Sequence, residues 1–240
     1  MKKSAQLNKF SIRLLPVIAA LALTSACGGE GTSLIGSAQA AEGIKINRPA
    51  TTITEPKETQ TAVFAGGCFW GVQAVFQHVN GVVSATSGYA GGQVAKPTYE
   101  DVSRGKTGHA EVVRVVYDPS KVSFTRLLDV FFNVAHDPTQ LNRQGPDRGT
   151  QYRSALFFTN DAQKAATQAY IAQLGKSGNV KGTVVTQVAP LGTFYVAEAY
   201  HQNYATLHPN EPYIYYNDAP KIAALKKQYA SLWTDKMASH

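Results

Sequence analysis

The chain has 240 residues, a formal net charge of +7 and a sequence pI of about 9.3. Hydrophobic residues make up 44% of it and charged residues 16%, which excludes an intrinsically disordered chain and allows a sizeable core. Residues 1–26 hold four basic and no acidic side chains, and the other basic residues are scattered along the chain. The charge therefore argues against a nucleic-acid-binding protein.

The first 26 residues have the pattern of a secretory signal peptide. A basic region precedes the apolar stretch 14–26, which is too short to span a membrane as a mature helix. The letters L-T-S-A-C-G at 23–28 resemble a bacterial lipobox, in which Cys27 is lipidated and becomes the mature N-terminus. The alternative is the A-x-A cleavage site at 38–40, which lies far from the apolar core. We favour the lipobox and expect an exported, lipid-anchored protein of the periplasm or cell envelope.

Residues 27–59 lack periodicity, so we predict a flexible tether followed by a single catalytic domain over 60–240. In chain order we predict a strand at 61–65, a helix at 69–79, strands at 82–89 and 109–117, a helix at 124–134, a strand at 152–158, a helix at 160–175, a strand at 184–191 and helices at 197–207 and 220–233. This mixed order predicts an α+β fold, expected to be a ferredoxin-like two-layer sandwich with a mixed β-sheet and flanking helices.

The run G-G-C-F-W-G at 66–71 places a cysteine between a predicted strand and a predicted helix. Cys68 would face unpaired backbone N–H groups and the positive end of the helix dipole, both of which favour the thiolate. Phe69 and Trp70 add an apolar wall beside the sulfur. The run therefore predicts a reactive cysteine beside a site for a small uncharged group.

Glu111 is the second candidate, because alternation puts it on the same strand face as Val113, Val115 and Tyr117. Burial on an apolar face raises the pKa of a carboxyl and lets it act as a general acid. The alternative is a strand-edge glutamate paired with Arg104 or Lys106.

Polar residues elsewhere give weaker signals. Tyr99 and Tyr152 flank turn-rich segments, and Asp147 lies in a G-P-D-R-G loop whose simplest interpretation is a turn. Glu198 and His201 have the spacing of a metal pair, but no second pair accompanies them, so we predict no metal site. His109 is a possible base for Cys68, although a histidine at a strand start is more often a hydrogen-bonding scaffold residue.

Several motifs follow in an order that is typical of one family. They are G-C-F-W-G at 67–71, G-Y-A-G-G at 88–92, P-T-Y at 97–99, T-G-H-A-E-V-V at 107–113, H-D-P-T at 136–139, N-R-Q-G-P-D-R-G-T-Q-Y-R-S at 142–154 and A-E-A-Y-H-Q at 197–202. Together they closely resemble peptide methionine sulfoxide reductase A, and the resemblance covers about residues 60–210.

The resemblance implies reduction of methionine S-sulfoxide, free or in peptides, to methionine. By position, Cys68 would attack the sulfoxide sulfur and become a sulfenic acid, and Glu111 would protonate the departing oxygen. Tyr99 and Tyr152 would hydrogen-bond that oxygen. The resemblance further assigns the substrate methyl group to Phe69 and Trp70 and the substrate backbone to Asp147.

The chain departs from the family pattern in its cysteines. Many relatives carry resolving cysteines, one of them at the position of Ser103, whereas this chain has two cysteines in all and none after Cys68. We therefore expect no bound cofactor and reduction of the sulfenic acid by an external thiol, from a thioredoxin-like protein or dithiothreitol. The expected partners are oxidised proteins, peptides or free methionine sulfoxide, and the expected state is a monomer.

Two other functions remain open at this point. One is a cysteine peptidase or acyltransferase that uses Cys68 with His109 or His201, although the local sequence lacks a peptidase signature. The other is a non-catalytic lipoprotein whose aromatic cleft binds methionine-containing partners.

Overall fold

The computed structural model describes residues 53–240. The predicted signal peptide, both cleavage sites and Cys27 lie outside these described residues. Within residues 53–240, no helix is both long enough and apolar enough to cross a membrane.

Eight strands form two sheets in the described part of the chain. They are β1 (Gln60–Gly66), β2 (Val82–Ala90), β3 (Ala110–Tyr117), β4 (Arg143–Gln144), β5 (Asp147–Arg148), β6 (Ser154–Phe158), β7 (Gln187–Pro190) and β8 (Tyr195–Val196). The six-stranded sheet has the order β7-β6-β1-β3-β2-β8, and β4 and β5 form a separate hairpin. All pairs are antiparallel except β6 and β7, so the sheet is mixed.

Six α-helices accompany the strands in the same region. They are α1 (Phe69–Gln77), α2 (Tyr99–Ser103), α3 (Phe124–Val130), α4 (Asp161–Lys176), α5 (Tyr204–Leu207) and α6 (Ala219–Gln228). Side chains cap three of these helices: Ser123 accepts from the Arg126 N–H, Asn160 accepts from the Gln163 N–H, and Thr98 forms a capping box with Asp101. Such caps satisfy N–H groups that a helix start leaves unpaired.

The chain path through the central strands confirms the predicted fold. Apart from the short α2 and the β4–β5 hairpin, the order of elements is β1-α1-β2-β3-α3-β6, and the corresponding strand order in the sheet is β6-β1-β3-β2. This is the topology of a ferredoxin-like α+β sandwich. Because β1 is an inner strand between β3 and β6, the residues that follow it lie near the centre of the sheet, at the ends of the strands.

The core lies mainly between the sheet and the helices. Its centre is Phe64 of β1, whose ring is 4.7 Å from Phe76 of α1 and 5.0 Å from Phe131. The opposite face of the sheet is covered by a smaller apolar cluster that includes Phe157 and the loop residue Phe194. Side chains of β3 therefore alternate between two apolar environments, and the helix-facing set includes Val113, Val115 and Tyr117.

The C-terminal part departs most from the sequence prediction. The predicted helix at 197–207 is two short pieces, a 3₁₀ turn Ala199–His201 and α5, because Asn203 adopts a left-handed conformation with φ 59°. The predicted helix at 220–233 ends at Gln228 and is preceded by a π turn, Ile214–Asp218.

Two smaller differences from the sequence prediction lie earlier in the chain. Tyr152 lies in a 3₁₀ turn before β6 rather than in the strand, and the short helix α2 was not predicted.

The described end of the predicted tether contacts the domain. Glu55 accepts hydrogen bonds from the Phe124 backbone N–H at 2.8 Å and from the Tyr117 hydroxyl at 2.7 Å. The first N–H groups of a helix are unpaired and favour a carboxylate. Glu55 therefore fixes the chain at the start of α3 before the sheet begins.

Gly71 of α1 gives a stability prediction. A Cβ atom there would lie 2.0 Å from Oδ1 of the buried Asp218, so Gly71→Ala should lower the free energy of unfolding by about 1–3 kcal/mol in urea titrations. The matched control is Gly175→Ala in α4, where no atom lies within 4 Å of the new Cβ. That variant should be about 0.5–1 kcal/mol more stable, since alanine favours helix over glycine. Equal effects of the two variants would contradict the close contact.

Candidate active site

A tight turn after β1 presents Cys68 to the site. Gly67 has φ +90°, and a Cβ atom on it would lie 2.5 Å from the Cβ of Gln144, so only glycine fits there. Gln144 is itself fixed, because its side-chain amide bonds both the N–H and the carbonyl of Asp137. Cys68 directly precedes α1 and is 8% exposed. The turn therefore fixes the position of the buried Cys68 sulfur at the start of α1.

Glu111 lies on the helix-facing side of β3, as the alternation predicted, and is 2% exposed. Its carboxyl accepts a hydrogen bond from the Phe69 backbone N–H at 3.0 Å. Burial raises the pKa of Glu111 to about 8, although the Phe69 N–H acts in the opposite direction. The carboxyl is therefore mostly protonated at neutral pH and can donate a proton. The alternative of a strand-edge ion pair is wrong, because the carboxyl is buried in the site.

The helix start does not favour the thiolate of Cys68 in the free protein, contrary to the prediction. Burial raises the pKa of the thiol well above its ordinary value of 9.0, and the Glu111 and Asp218 carboxyls raise it further. The Trp70 backbone N–H lowers the pKa, as expected at a helix start, but desolvation dominates. The free protein therefore holds a protonated thiol beside a protonated carboxyl.

The structure brings all seven predicted chemical and binding residues of the domain to one cavity. This cavity has a volume of about 230 Å³ and is lined by Cys68, Phe69, Trp70, Tyr99, Glu111, Asp147, Tyr152, Glu211 and Tyr213. The residues come from the starts of α1 and α2, from β3, from the β4–β5 hairpin and from two later turns. Sequence reasoning did not single out Glu211 and Tyr213, because they follow the last recognised motif.

The hydroxyls of Tyr99 and Tyr152 remain donors near neutral pH. Burial raises the pKa of Tyr99 to about 12 and that of Tyr152 further above its ordinary value of 10.0. Tyr99 is held by Glu198, which accepts a hydrogen bond from its backbone N–H at 2.8 Å and another from the Tyr89 hydroxyl at 2.8 Å. Two protonated phenols and a protonated carboxyl thus surround the space above Cys68.

The indole of Trp70 is held in one orientation. Its Nε1 donates to Nδ1 of His201 at 3.1 Å, and its ring stacks on Tyr204 with centroids 3.9 Å apart. Tyr213 contacts the same indole edge-on at 5.8 Å. Phe69 is buried and its ring lies 5.0 Å from His201. The two residues that follow Cys68 therefore form a rigid aromatic wall.

Asp147, on the β4–β5 hairpin, also lines the cavity. Its carboxyl accepts a hydrogen bond from the Tyr213 hydroxyl, and its pKa is raised by burial. Asp147 therefore does more than form a turn, since it also lines the cavity beside Cys68.

The two histidines considered as bases are occupied by other contacts. The ring nitrogens of His109 bond the Gly92 N–H at 3.1 Å and the Val94 carbonyl at 2.8 Å, so this residue is a scaffold. Nδ1 of His201 accepts from Trp70, and burial lowers the pKa of its ring. Glu198 is 4.0 Å from His201, and no group of three or more metal-binding side chains occurs within residues 53–240.

Comparison with known proteins agrees with this geometry. The sequence profile of the peptide methionine sulfoxide reductase family matches residues 60–233. The chain belongs to this family.

Relatives and solved structures of the family cover most of the described domain. Peptide methionine sulfoxide reductase MsrA 2 of Mesorhizobium japonicum is 56% identical over 178 residues, which is 74% of this chain and 91% of the relative. The protein of the same name from Synechocystis is 47% identical over 78% of this chain and 86% of its own length. Mxr1 from Saccharomyces cerevisiae in reduced form has a TM-score of 0.58 and 36% identity, over 68% of this chain and 92% of that one. Methionine sulfoxide reductase A of Corynebacterium diphtheriae has a TM-score of 0.58 and 38% identity, over 65% and 78% respectively.

Membership in the peptide methionine sulfoxide reductase family confirms the resemblance seen in the sequence motifs. The protein is an oxidoreductase of the class that reduces methionine sulfoxide. The peptidase interpretation loses its support, because the site supplies Cys68 with an acid, Glu111, rather than with a histidine base.

Proposed function

We propose that this reductase acts on the S epimer of methionine sulfoxide, free or in proteins, through a sulfenic acid on Cys68. The observation that carries the proposal is that a thiol and a carboxyl with a pKa of about 8 line the same buried cavity. A sulfoxide needs a nucleophile for its sulfur and a proton for its oxygen. The cavity provides both in uncharged form.

In the first step, the Cys68 sulfur attacks the sulfoxide sulfur while Glu111 gives its proton to the oxygen. The attack forms a bond between the two sulfur atoms. This S–S bond and the S–O bond of the substrate then break as the hydroxyl moves to Cys68, and the thiol proton restores the Glu111 carboxyl. The substrate leaves as a thioether, and Cys68 becomes a sulfenic acid. Both groups begin and end neutral, so the completed step leaves no unpaired anion in the buried site.

The hydroxyls of Tyr99 and Tyr152 stabilise the oxygen while it gains negative charge. Donors held in place at a developing oxyanion lower the barrier by about 3–4 kcal/mol each in other enzymes. Both phenols stay protonated at neutral pH, and Tyr99 is anchored through Glu198. We therefore assign the polar side of the cavity to the sulfoxide oxygen.

The aromatic wall of Phe69 and Trp70 suits the substrate methyl group, because it is apolar and fixed by His201 and Tyr204. Asp147, which lines the same cavity, can accept an N–H from the substrate backbone. A sulfoxide sulfur is a stereocentre, so fixed sites for oxygen, methyl group and backbone select one epimer.

An external thiol regenerates the enzyme in this proposal. Ser103 is exposed and its hydroxyl bonds the Glu100 carbonyl, so no thiol stands at that position. The first thiol attacks the Cys68 sulfur and releases water, which leaves a mixed disulfide. A second thiol then releases the reduced enzyme and an external disulfide. The electrons come from a thioredoxin-like protein or dithiothreitol, so the cycle requires no bound cofactor.

The decisive experiment compares the two sulfoxide epimers. With excess dithiothreitol, the protein should reduce the S epimer, and Cys68→Ser should reduce neither. Without reductant, one equivalent of methionine should form and dimedone should label Cys68 by one adduct in peptide mass spectra.

Other outcomes would contradict the proposal. Turnover by Cys68→Ser would exclude the cysteine as nucleophile. Absence of turnover by the unmodified chain would instead favour the non-catalytic binding function. An intramolecular disulfide in the oxidised, active protein would refute regeneration by direct attack of an external thiol.

Glu111 should set the alkaline limit of activity. The carboxyl is protonated below its pKa of about 8, so kcat should fall as the pH rises through that value. Glu111→Gln cannot transfer a proton and should lower kcat by about 10²–10⁴-fold, with the alkaline decline flattened. A pH–rate series over pH 6–10 measures both effects. Glu100→Gln is the matched control, since that side chain is 81% exposed, and an unchanged pH profile in Glu111→Gln would exclude the carboxyl as the acid.

We also propose that the enzyme repairs proteins in the cell envelope, is anchored by a lipid on Cys27 and acts as a monomer. The signal-like segment 1–26 and the lipobox-like run at 23–28 support the anchor. Cys27→Ala should move the protein from the membrane fraction to the soluble fraction, and its kcat should not change because the described lining residues of the site all lie between 68 and 213. Intact mass of the mature N-terminus distinguishes a lipidated Cys27 from cleavage after residue 40, and the latter result would refute the anchor.

A further inference from the structure

A second cavity adjoins Cys68. It has a volume of about 60 Å³ and is lined by Cys68, Gln144, Gly145, Pro146, Asp147, Tyr213, Asn217 and Lys221. Cys68, Asp147 and Tyr213 also line the larger cavity, so the two spaces meet at these residues. The hydrogen bond between the Tyr213 hydroxyl and the Asp147 carboxyl stands where they meet. The mechanism proposed above makes no use of the smaller cavity.

The two cavities differ in charge. Asp147 lines both, but the larger one also contains Glu211, and none of its described lining residues is Lys or Arg. The smaller one contains Lys221, whose ammonium bonds Oδ1 of the buried Asp218 at 3.0 Å. An ammonium has three N–H donors, and Asp218 takes one of them. The side chain of Lys221 is 19% exposed, so its position is largely fixed.

Every methionine sulfoxide substrate has the same two polar ends. Its amino side carries an ammonium or a peptide N–H, both of which are donors, and its carbonyl side carries a carboxylate or a peptide carbonyl, both of which are acceptors. Carboxyls at one end of a site and an ammonium at the other complement this pattern. The smaller cavity has room for a carboxylate or carbonyl group but not for a large side chain.

We propose that Lys221 and Glu211 fix the direction of the substrate chain across Cys68. The carbonyl side enters the small cavity and accepts an N–H from Lys221, and the amino side lies toward Asp147 and Glu211. Substrates with a free carboxylate at the oxidised methionine gain most from Lys221. Those with a free amine gain most from Glu211.

This inference rests on the proposed function. Four S-sulfoxide compounds test the substrate direction separately from the activity itself. They are free methionine sulfoxide, its N-acetyl derivative, its amide and the N-acetyl methylamide, which bear respectively both charges, the carboxylate alone, the amine alone and neither. The measurement is kcat/KM for each compound at pH 7 with dithiothreitol as reductant. The doubly blocked compound serves as the reference for every variant.

Lys221→Met should lower the ratio of kcat/KM for the N-acetyl compound to that for the blocked reference by about tenfold, as expected for one hydrogen bond to a charged group. Lys221→Arg should restore most of this ratio. Glu211→Gln should lower the ratio of the amide to the reference by about fivefold. Lys227→Met and Glu58→Gln are matched controls, since both side chains are exposed and absent from either cavity, and both should leave the ratios unchanged.

Three outcomes would overturn the inference. Unchanged ratios in Lys221→Met would show that the lysine contributes only to packing. A selective loss of the amide in that variant would mean that the substrate lies in the opposite direction. If Lys221→Met does not fold, the double variant Asp218→Asn with Lys221→Met removes both charges of the buried pair. An unchanged ratio of the N-acetyl compound to the reference in that variant would also show that the lysine contributes only to packing. Absence of turnover by the unmodified chain would contradict the proposed function itself. Normal turnover by that chain, with unchanged ratios in the Lys221 variants, would contradict only the proposed direction of the substrate chain.

Discussion

The hydrogen bond from the Phe69 backbone N–H to the Glu111 carboxyl joins the start of α1 to the middle of the sheet. A carboxyl buried to this degree needs a partner, and the N–H at a helix start is one that the helix itself cannot satisfy. The same contact brings the acid next to the residue that precedes Phe69, which is the cysteine. Because one N–H offsets only part of the cost of desolvation, the carboxyl keeps its proton at neutral pH. The position of the acid and its protonation state thus have a common origin.

The features of the site that depend on local geometry could be predicted from the sequence. Period-two alternation placed Glu111 on the apolar face of its strand, and the run at 66–71 placed Cys68 between a strand and a helix. The ionisation of Cys68 could not be predicted in this way, since it depends on desolvation and on the Glu111 and Asp218 carboxyls, which reach it from distant parts of the chain. Helix-start geometry alone gave the wrong direction for its pKa.

The C-terminal region shows why the remaining part of the site was missed. Residues 197–207 have a composition typical of a helix, yet Gln202 bonds both the N–H and the carbonyl of Ser87, and Asn203 turns left-handed immediately after it. Contacts to a strand more than a hundred residues away thus override the local helix preference. The same break directs the following chain back to the site, where Tyr213 bonds Asp147. Such long-range hydrogen bonds leave no periodic signal in the sequence.

The protonated state of the Cys68 thiol has a consequence for how the enzyme survives among oxidants. Peroxides and disulfides react with ionised sulfur, so a neutral, buried thiol is a poor target for both. A sulfoxide differs from these reagents because its oxygen is a strong hydrogen-bond acceptor that matches the phenols and the carboxyl of the cavity. In the proposed reaction, the donors that recognise the sulfoxide oxygen also promote attack by Cys68. A thiol that stays neutral without substrate is protected from the oxidants that produce that substrate.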